Sequence, residues 1–329
     1  MRWTEQQAND WYKQHEWIMG FNYVPSTAVN STEMWQGDTY DRETIKRELN
    51  WAAQAGYNSC RIFLQYILWE NQRDIFMANF TDFCNIAESY GLSVMPILFD
   101  DCAFAGKEPY LGVQDAPRHG VHNSGWTPSP GPSIASDPTK EQSLRSYVHD
   151  VIGTFKDNKQ IIVWDLYNES GNTEYKGKVL HLMGKAFEWA REIAPSQPLT
   201  ACVWLYQDFD YACAELSDIV TFHDYLLPEK SAANIEVMKK YNRPMMCTEW
   251  LNRGAGNTFE THLPLYKGEN IGTYHWGLVL GKTQTNLNGD TVLGEPDANP
   301  AVWQHDMFYA DGTQYRAEEF ALIKQCKSC

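Results

Sequence analysis

Eight short apolar runs, helical periodicity in the segments between them, and polar or carboxylate residues at the ends of several runs together predict an α/β protein. Its architecture is read as a (β/α)8 TIM barrel. A chain of 329 residues suits one such barrel with long loops after strands 3 and 8, since these barrels run from about 200 to more than 400 residues. No composition break divides the sequence, so residues 1–329 are expected to form one domain.

Taken in order, Trp17 to Val24 (WIMGFNYV) is the first strand, ended by Pro25 and the polar loop Ser26 to Ser31. Ile45, Leu49, Ala52 and Ala53 recur at helical spacing after Asp41, and Gly56 stops that helix. Tyr57 to Leu64 (YNSCRIFL) is the second strand. It contains Arg61, whose unpaired guanidinium would be costly in an apolar element; Arg61 therefore either snorkels to the surface or meets a carboxylate at the barrel mouth. A helix over Phe76 to Tyr90 presents Phe80, Phe83, Ile86 and Ala87 on one face and ends at Gly91. The third strand, Leu92 to Phe99, stops on Asp100 and Asp101. The long stretch from Asp100 to Asp137 follows, rich in Gly and Pro and carrying His119, His122 and Trp126. Loops of that length are functional or disordered, and the aromatics point to a packed wall over a site.

Asp137 is expected to cap a helix with Pro138 in its first turn and Leu144, Val148, Val151, Ile152 and Phe155 as its buried stripe. Ile161 to Tyr167 passes without a helical repeat and reads as a buried parallel strand, the fourth. It ends on Asn168 and Glu169 before Ser170, Gly171 and Asn172 break it with turn chemistry. A helix over Tyr175 to Ile193 turns Val179, Leu182, Met183, Ala186 and Ala190 inward, with Pro195 and Pro198 beyond it. Leu199 to Trp204 is the fifth strand. Ile219 to Phe222 is the sixth, running into His223, Asp224 and Tyr225. Pro244 to Thr248 is the seventh, delivering Glu249 and Trp250, and Ile271 to Leu278 is the eighth, with Tyr274, His275 and Trp276. A long insertion, Gly281 to Tyr315, on the same face as the strand-three loop, precedes the last helix, Ala317 to Gln325.

Composition narrows the function. The 27 basic against 42 acidic side chains leave a net charge of −15 with no Lys/Arg run, which argues against nucleic acid as a partner. No apolar stretch is long enough to span a membrane. The polar start, MRWTEQQANDW, fits either a cytoplasmic protein or one from which a signal has been trimmed. The eight Cys show no metal-ligand spacing, and neither a metal nor a cofactor is expected. Cys60, Cys202 and Cys247 lie in apolar runs and read as inert buried thiols, while the redox state of Cys326 and Cys329 stays open. The 13 Trp and 18 Tyr suit either carbohydrate faces or core filling.

In a barrel the carboxyl ends of the strands converge on one mouth. Here they present Asn22, Arg61, Asp100, Asp101, Asn168, Glu169, Trp204, His223, Tyr225, Glu249 and Trp276. Strands four and seven lie across that mouth from one another, so Glu169 and Glu249 are expected to face each other. Paired carboxylates flanking a bond serve glycoside hydrolysis, in which one protonates the leaving oxygen and the other attacks the anomeric carbon or activates water. Their pKa values must differ: a Glu beside Arg61 is held ionised, and one with less positive charge nearby keeps its proton. Each residue also has a plainer reading. Glu169 could serve a helix N-terminus, Glu249 could merely pair with Arg61, and His223 and Trp276 could fill the core.

Asn168 followed by Glu169 at one strand end, a second Glu in MMCTEW at a later one, and Arg61, HDY and HW at others resemble the clan A retaining glycoside hydrolases. The family 5 enzymes and the barrel domains of family 2 are the nearest types, and the likeness runs from GFNYVP to the tail WQHDMFYADGTQY, which resembles bacterial xylanase-like or cellulase-like proteins. The resemblance implies Glu169 as acid/base, Glu249 as nucleophile, and Asn168 on the sugar 2-hydroxyl. Arg61 and Tyr225 would orient Glu249, and His223 would lie beside the acid/base pocket or the sugar. Trp276 would be a platform under the sugar, with Trp126, Trp204 and Trp250 as further contacts. One departure is that strand three ends in Asp100 and Asp101 where many family 5 enzymes carry histidine; these aspartates are expected to grip sugar hydroxyls. The expected function is a retaining β-glycosidase hydrolysing β-linked plant-type oligo- or polysaccharides, leaning to exo-action or short oligosaccharides, and periplasmic or secreted because such hydrolases are generally exported. Two other classes use the same residue types: an isomerase or epimerase holding Mg2+ or Mn2+ on Glu169, Asp100 or Asp101, His223 and Glu249, and a barrel that binds glycans without cleaving them.

Overall fold

The computed structural model describes residues 1–172 and 176–328. Tyr175, Cys329 and the side chain of Val179 lie outside the described residues, so the expectations placed on them go no further. The strands are β1 (Met19–Tyr23), β2 (Ser59–Phe63), β3 (Ser93–Asp100), β4 (Trp164–Asn168), β5 (Leu199–Thr200), β6 (Cys202–Val203), β7 (Val220–Asp224), β8 (Met245–Trp250) and β9 (Gly272–His275). They form one parallel sheet in the order β5-β4-β3-β2-β1-β9-β8-β7-β6, the curl of a (β/α)8 barrel. The predicted fifth strand is broken at Ala201. Its first half pairs with β4 and its second with β7, so nine segments fill eight barrel positions. Side chains bridge the break: Ala201 N–H donates to Ser217 Oγ at 3.0 Å, and the Thr200 and Thr221 hydroxyls meet at 2.8 Å.

Several strands are shorter than the apolar runs that predict them, and packing explains why. Ile18, Ile162, Val163 and Ile219 precede their strands and form a separate buried cluster with Met95, Met246 and Tyr274 at the amino-terminal end of the barrel. The same cluster takes in Ala8 and Tyr12 of α1 (Glu5–Tyr12), a helix not anticipated from the sequence although Thr4 and Gln7 form a capping box at its start. An apolar run thus continues past the strand into the plug that closes the barrel floor.

The remaining helices are α2 (Ser31–Trp35), α3 (Arg42–Ala55), α4 (Tyr66–Ser89), α5 (Pro132–Ala135), α6 (Glu141–Phe155), α7 (Lys176–Ile193), α8 (Asp208–Leu216), α9 (Pro228–Met238), α10 (Phe259–Gly268) and α11 (Ala317–Ser328). Asp41 caps α3 through Thr44 N–H, and Gly56, at φ 109°, supplies its left-handed end. Helix α4 begins ten residues before the predicted segment and kinks at Gln72. Asp137 caps a short 3-10 turn, Pro138–Lys140, ahead of α6. Helices α8, α9 and α10 complete the outer layer after β6, β7 and β8, and no helix among the described residues is long and apolar enough to cross a membrane.

Candidate active site

The chemistry-bearing residues sit where strand geometry gives way to loops at the carboxyl ends. Glu169 follows the last residue of β4 and is held at φ 45°, a left-handed backbone that a non-glycine residue adopts only when its surroundings fix it. Glu249 is the fifth residue of β8, and a register shift between Phe222 and His223 of β7 brings His223 level with it. One carboxylate oxygen of Glu169, one of Glu249 and a ring nitrogen of His223 all lie within 4.8 Å of one another.

Arg61 settles its two alternatives in favour of the carboxylate. It is fully buried, and Nη1 lies 2.9 Å from Glu249 Oε1. Nε and Nη2 reach Asp165 Oδ2 at 3.0 and 2.8 Å, and the remaining N–H groups donate to Asn22 Oδ1 at 2.8 Å and Asn168 Oδ1 at 2.6 Å. Burial alone would ease the guanidinium's loss of a proton, but Asp165 and Glu249 outweigh it and raise its pKa, so it stays a cation. Tyr225 O–H donates to the other oxygen of Glu249 at 3.0 Å.

Glu169 meets a different set. Cys102 S–H donates to its Oε2 at 3.0 Å and Asn172 Nδ2–H to the same oxygen at 3.0 Å, while His223 Nδ1 lies 2.8 Å from Oε1. Burial depresses His223 to about 3, so the ring is neutral and meets Glu169 as a hydrogen-bond partner rather than as a cation. Burial raises both glutamates above the usual range; the charge of Glu169 adds to the rise at Glu249, and Arg61 works against it there through direct contact. Glu169 has no such ion pair with Lys or Arg among the described residues, so it is the carboxyl placed to keep its proton.

The two glutamates open on a cavity of about 300 Å³. Asn168, Tyr225 and Cys102 share its floor; Trp276, Trp126 and Phe63 form an aromatic side, with ring centroids 5.5 Å apart for Phe63 and Trp276 and 6.0 Å for the two tryptophans. Gly277, at φ 76°, lets the insertion approach behind Trp276, where a Cβ would stand 2.5 Å from Asp306 Oδ1.

Other candidates fall elsewhere. Asp100 accepts from Asn168 Nδ2 (2.8 Å), Trp126 Nε1 (2.8 Å) and Cys102 N (3.0 Å); Asp101 accepts from Tyr167 O–H (3.0 Å) and Gly171 N (2.8 Å). Both are buried, and burial raises them to about 6 and about 7; neither lines the cavity, and their hydrogen bonds brace the turns that carry Asn168, Cys102 and Trp126. Asn22 donates to Thr248 O at 2.8 Å and helps seat Arg61 from below. Trp250 points away from the cavity: the alternation of a strand that aims Glu249 inward turns the next residue out, onto Phe259 and Tyr266 of α10. Trp204 is half-buried beside the mouth, donates to Ser170 O at 3.2 Å and does not line the cavity. Sequence reasoning missed Asp165 and Cys102. The only available signal was an acid inside a buried apolar strand in the first case, and there was none in the second, because thiols recur in apolar runs without a role.

No protein-family model matches the sequence, and no curated protein sequence matches it. Solved structures do. An alanine variant of a GH5_18 enzyme from Bifidobacterium longum subsp. longum, in complex with Manβ1-4GlcNAc, superposes with a TM-score of 0.64 at 14% identity, over 95% of this chain and 78% of that one. A family 5 mannosidase from Rhizomucor miehei gives 0.60 at 13% identity, over 95% and 92%. An endo-β-1,4-mannanase from Thermotoga petrophila gives 0.59 at 13%, over 95% and 76%. The chain therefore has the fold of the family 5 glycoside hydrolases across nearly its whole length.

Proposed function

We propose that the protein is a retaining β-glycosidase. The observation that carries this reading is the pair Glu169 and Glu249, whose nearest oxygens lie within 4.8 Å: retaining enzymes keep their carboxyl groups about 5–5.5 Å apart, whereas inverting ones leave about 6.5–9.5 Å for a water. Glu249, ionised beside Arg61 and Tyr225, attacks the anomeric carbon while Glu169 passes its proton to the leaving glycosidic oxygen. The resulting glycosyl ester on Glu249 is then hydrolysed by a water whose proton returns to Glu169. Asn168 lines the cavity between them, where its amide is suited to the sugar 2-hydroxyl, and Trp276 offers an aromatic face. The fold neighbours are mannosidases and mannanases, so β-mannosides head the list of substrates to try, and the confined cavity favours short oligosaccharides.

The test is turnover of aryl β-glycosides of mannose, glucose, galactose and xylose. Glu249→Ala should abolish it, and added azide should restore it as a glycosyl azide of inverted configuration. Full activity in Glu249→Ala would overturn the assignment.

A further inference from the structure

Part of the cavity wall is unused by the two glutamates. The loop after β3 and the insertion after β9 are sewn together: Asn123 N–H donates to Thr283 O at 2.8 Å, His122 N–H to Thr291 Oγ1 at 2.9 Å, and Asp297 N–H to Gly120 O at 2.9 Å. Gln284 Nε2 adds bonds to the carbonyls of Arg118 (2.8 Å) and Val121 (3.0 Å). In the barrel order β2 and β1 lie between β3 and β9, so the joined loops roof the mouth on that side.

Two lining side chains of this wall carry acceptors without donors. His122 Nδ1 lies 2.9 Å from the Leu287 carbonyl oxygen, which can only accept, so Nδ1 holds the proton and Nε2 the lone pair. Burial lowers this ring to about 4, leaving it neutral, and its Nε2 makes no hydrogen bond among the described residues. Asn123, 1% exposed, has a buried Oδ1 with no hydrogen-bond partner among the described residues. The neighbouring groups are already committed: His305 Nε2 lies 2.8 Å from Gln304 Nε2, and Gln304 Oε1 accepts from Gly289 N–H at 2.7 Å. A buried acceptor left unpaired, such as Asn123 Oδ1, is costly, and the partner it calls for is an O–H donor, which the lone pair of His122 Nε2 can accept as well. An anion would instead face the nearby carboxylates.

Resting on the glycosidase reading, we propose that His122 and Asn123 form a subsite for a hydroxyl of the terminal sugar, at C3, C4 or C6, remote from the bond being cleaved. The roof ends the cleft there, and the enzyme therefore releases single sugars from chain ends. Its neutral acceptors select neutral sugars over uronic acids.

The experiment compares wild type, Asn123→Gly, which keeps the left-handed backbone at that position (φ 45°), and His122→Phe, which keeps a ring. The probes are p-nitrophenyl β-glycosides and their 3-, 4- and 6-deoxy analogues. Wild type should lose about 10-fold in kcat/KM on one deoxy sugar, and a variant should lose as much on the parent sugar but nothing further on that analogue. Equal deoxy penalties in wild type and both variants would overturn the subsite, as would mid-chain cleavage of β-1,4-mannohexaose. Urea denaturation checks that the variants fold, and sugar-induced quenching of tryptophan fluorescence reads the wall without turnover. Sugar binding that weakens in the variants of a protein that hydrolyses nothing would uphold the subsite while sinking the glycosidase reading. Hydrolysis with unaltered variants would do the reverse, and a wild type that neither binds nor cleaves sugars would overturn both.

Discussion

Arg61 Nη1 stands 2.9 Å from Glu249 Oε1 while the same guanidinium reaches Asp165 at 2.8 Å, so one fully buried cation is shared by two buried acids. Removing it strands both acids in a low-dielectric interior. Arg61→Met is expected to cost about 3–5 kcal/mol in urea denaturation. It should also raise the pKa of Glu249, leaving less of the ionised carboxylate that the proposed mechanism uses as nucleophile at neutral pH, so kcat falls even where the variant is still folded. A variant of wild-type stability would show that Asp165 and Glu249 do not depend on this cation.

In the proposed double displacement, where Glu169 is the acid/base, Cys102 gives that residue a pH signature. Burial raises Glu169, and the hydrogen bond from Cys102 S–H opposes that rise by favouring the ionised form. An acid must be protonated to act, so activity is lost as pH rises through the pKa of Glu169. Cys102→Ala removes the donor, lifts that pKa further and should move the alkaline limb of kcat/KM to higher pH. Cys102→Ser, which keeps a donor, should not. A limb unmoved in Cys102→Ala would remove the thiol from this role.

Two tryptophans both expected from sequence to contact sugar, Trp276 as platform and Trp250 as a further contact, should behave oppositely. Trp250 is fully buried against Phe259 and Tyr266, so Trp250→Ala should cost about 3–5 kcal/mol of stability and leave sugar affinity nearly unchanged. Trp276, 9% exposed, lines the cavity, and Trp276→Ala should weaken sugar binding by about 10-fold or more with the smaller stability loss. Denaturation curves and sugar titrations of the two variants decide it, and a reversed ranking would mean that the cavity has been assigned the wrong wall.

The contrast shows where sequence patterns carry information. Continuous apolar runs and helical spacing located the barrel because burial imposes them directly, and carboxylates ending apolar strands stood out because nothing in a core wants them. Which face a strand-end residue takes was not legible. Trp250 and Glu249 are neighbours, so strand alternation lets only one of them line the mouth, and the contact of Trp250 with α10 gives that place to Glu249. The partners of Asp100 and Asp101 were hidden for a related reason: a buried acid bonded to Trp126, Tyr167 and backbone N–H groups has the same sequence signature as one that meets a ligand. The wall formed by His122 and Asn123 depends on contacts between loops about 160 residues apart, which no local pattern encodes.

The cluster of Glu169, His223 and Glu249 is also tight enough to invite a divalent cation, with one donor atom from each within 4.8 Å. Its surroundings argue against one. Arg61 already occupies one oxygen of Glu249 with a positive charge at 2.9 Å, and Tyr225 donates to the other. Cys102 and Asn172 both donate to Glu169 Oε2, so a metal there would displace two hydrogen bonds and sit near a fixed cation. Activity on an aryl β-glycoside should therefore be the same before and after dialysis against EDTA, and Mn2+ or Mg2+ should not increase it. Loss of activity on chelation that Mn2+ restores would replace the double-displacement reading with metal-dependent sugar chemistry, and would predict that Glu249→Gln, which keeps the shape but not the charge, abolishes metal binding measured by calorimetry.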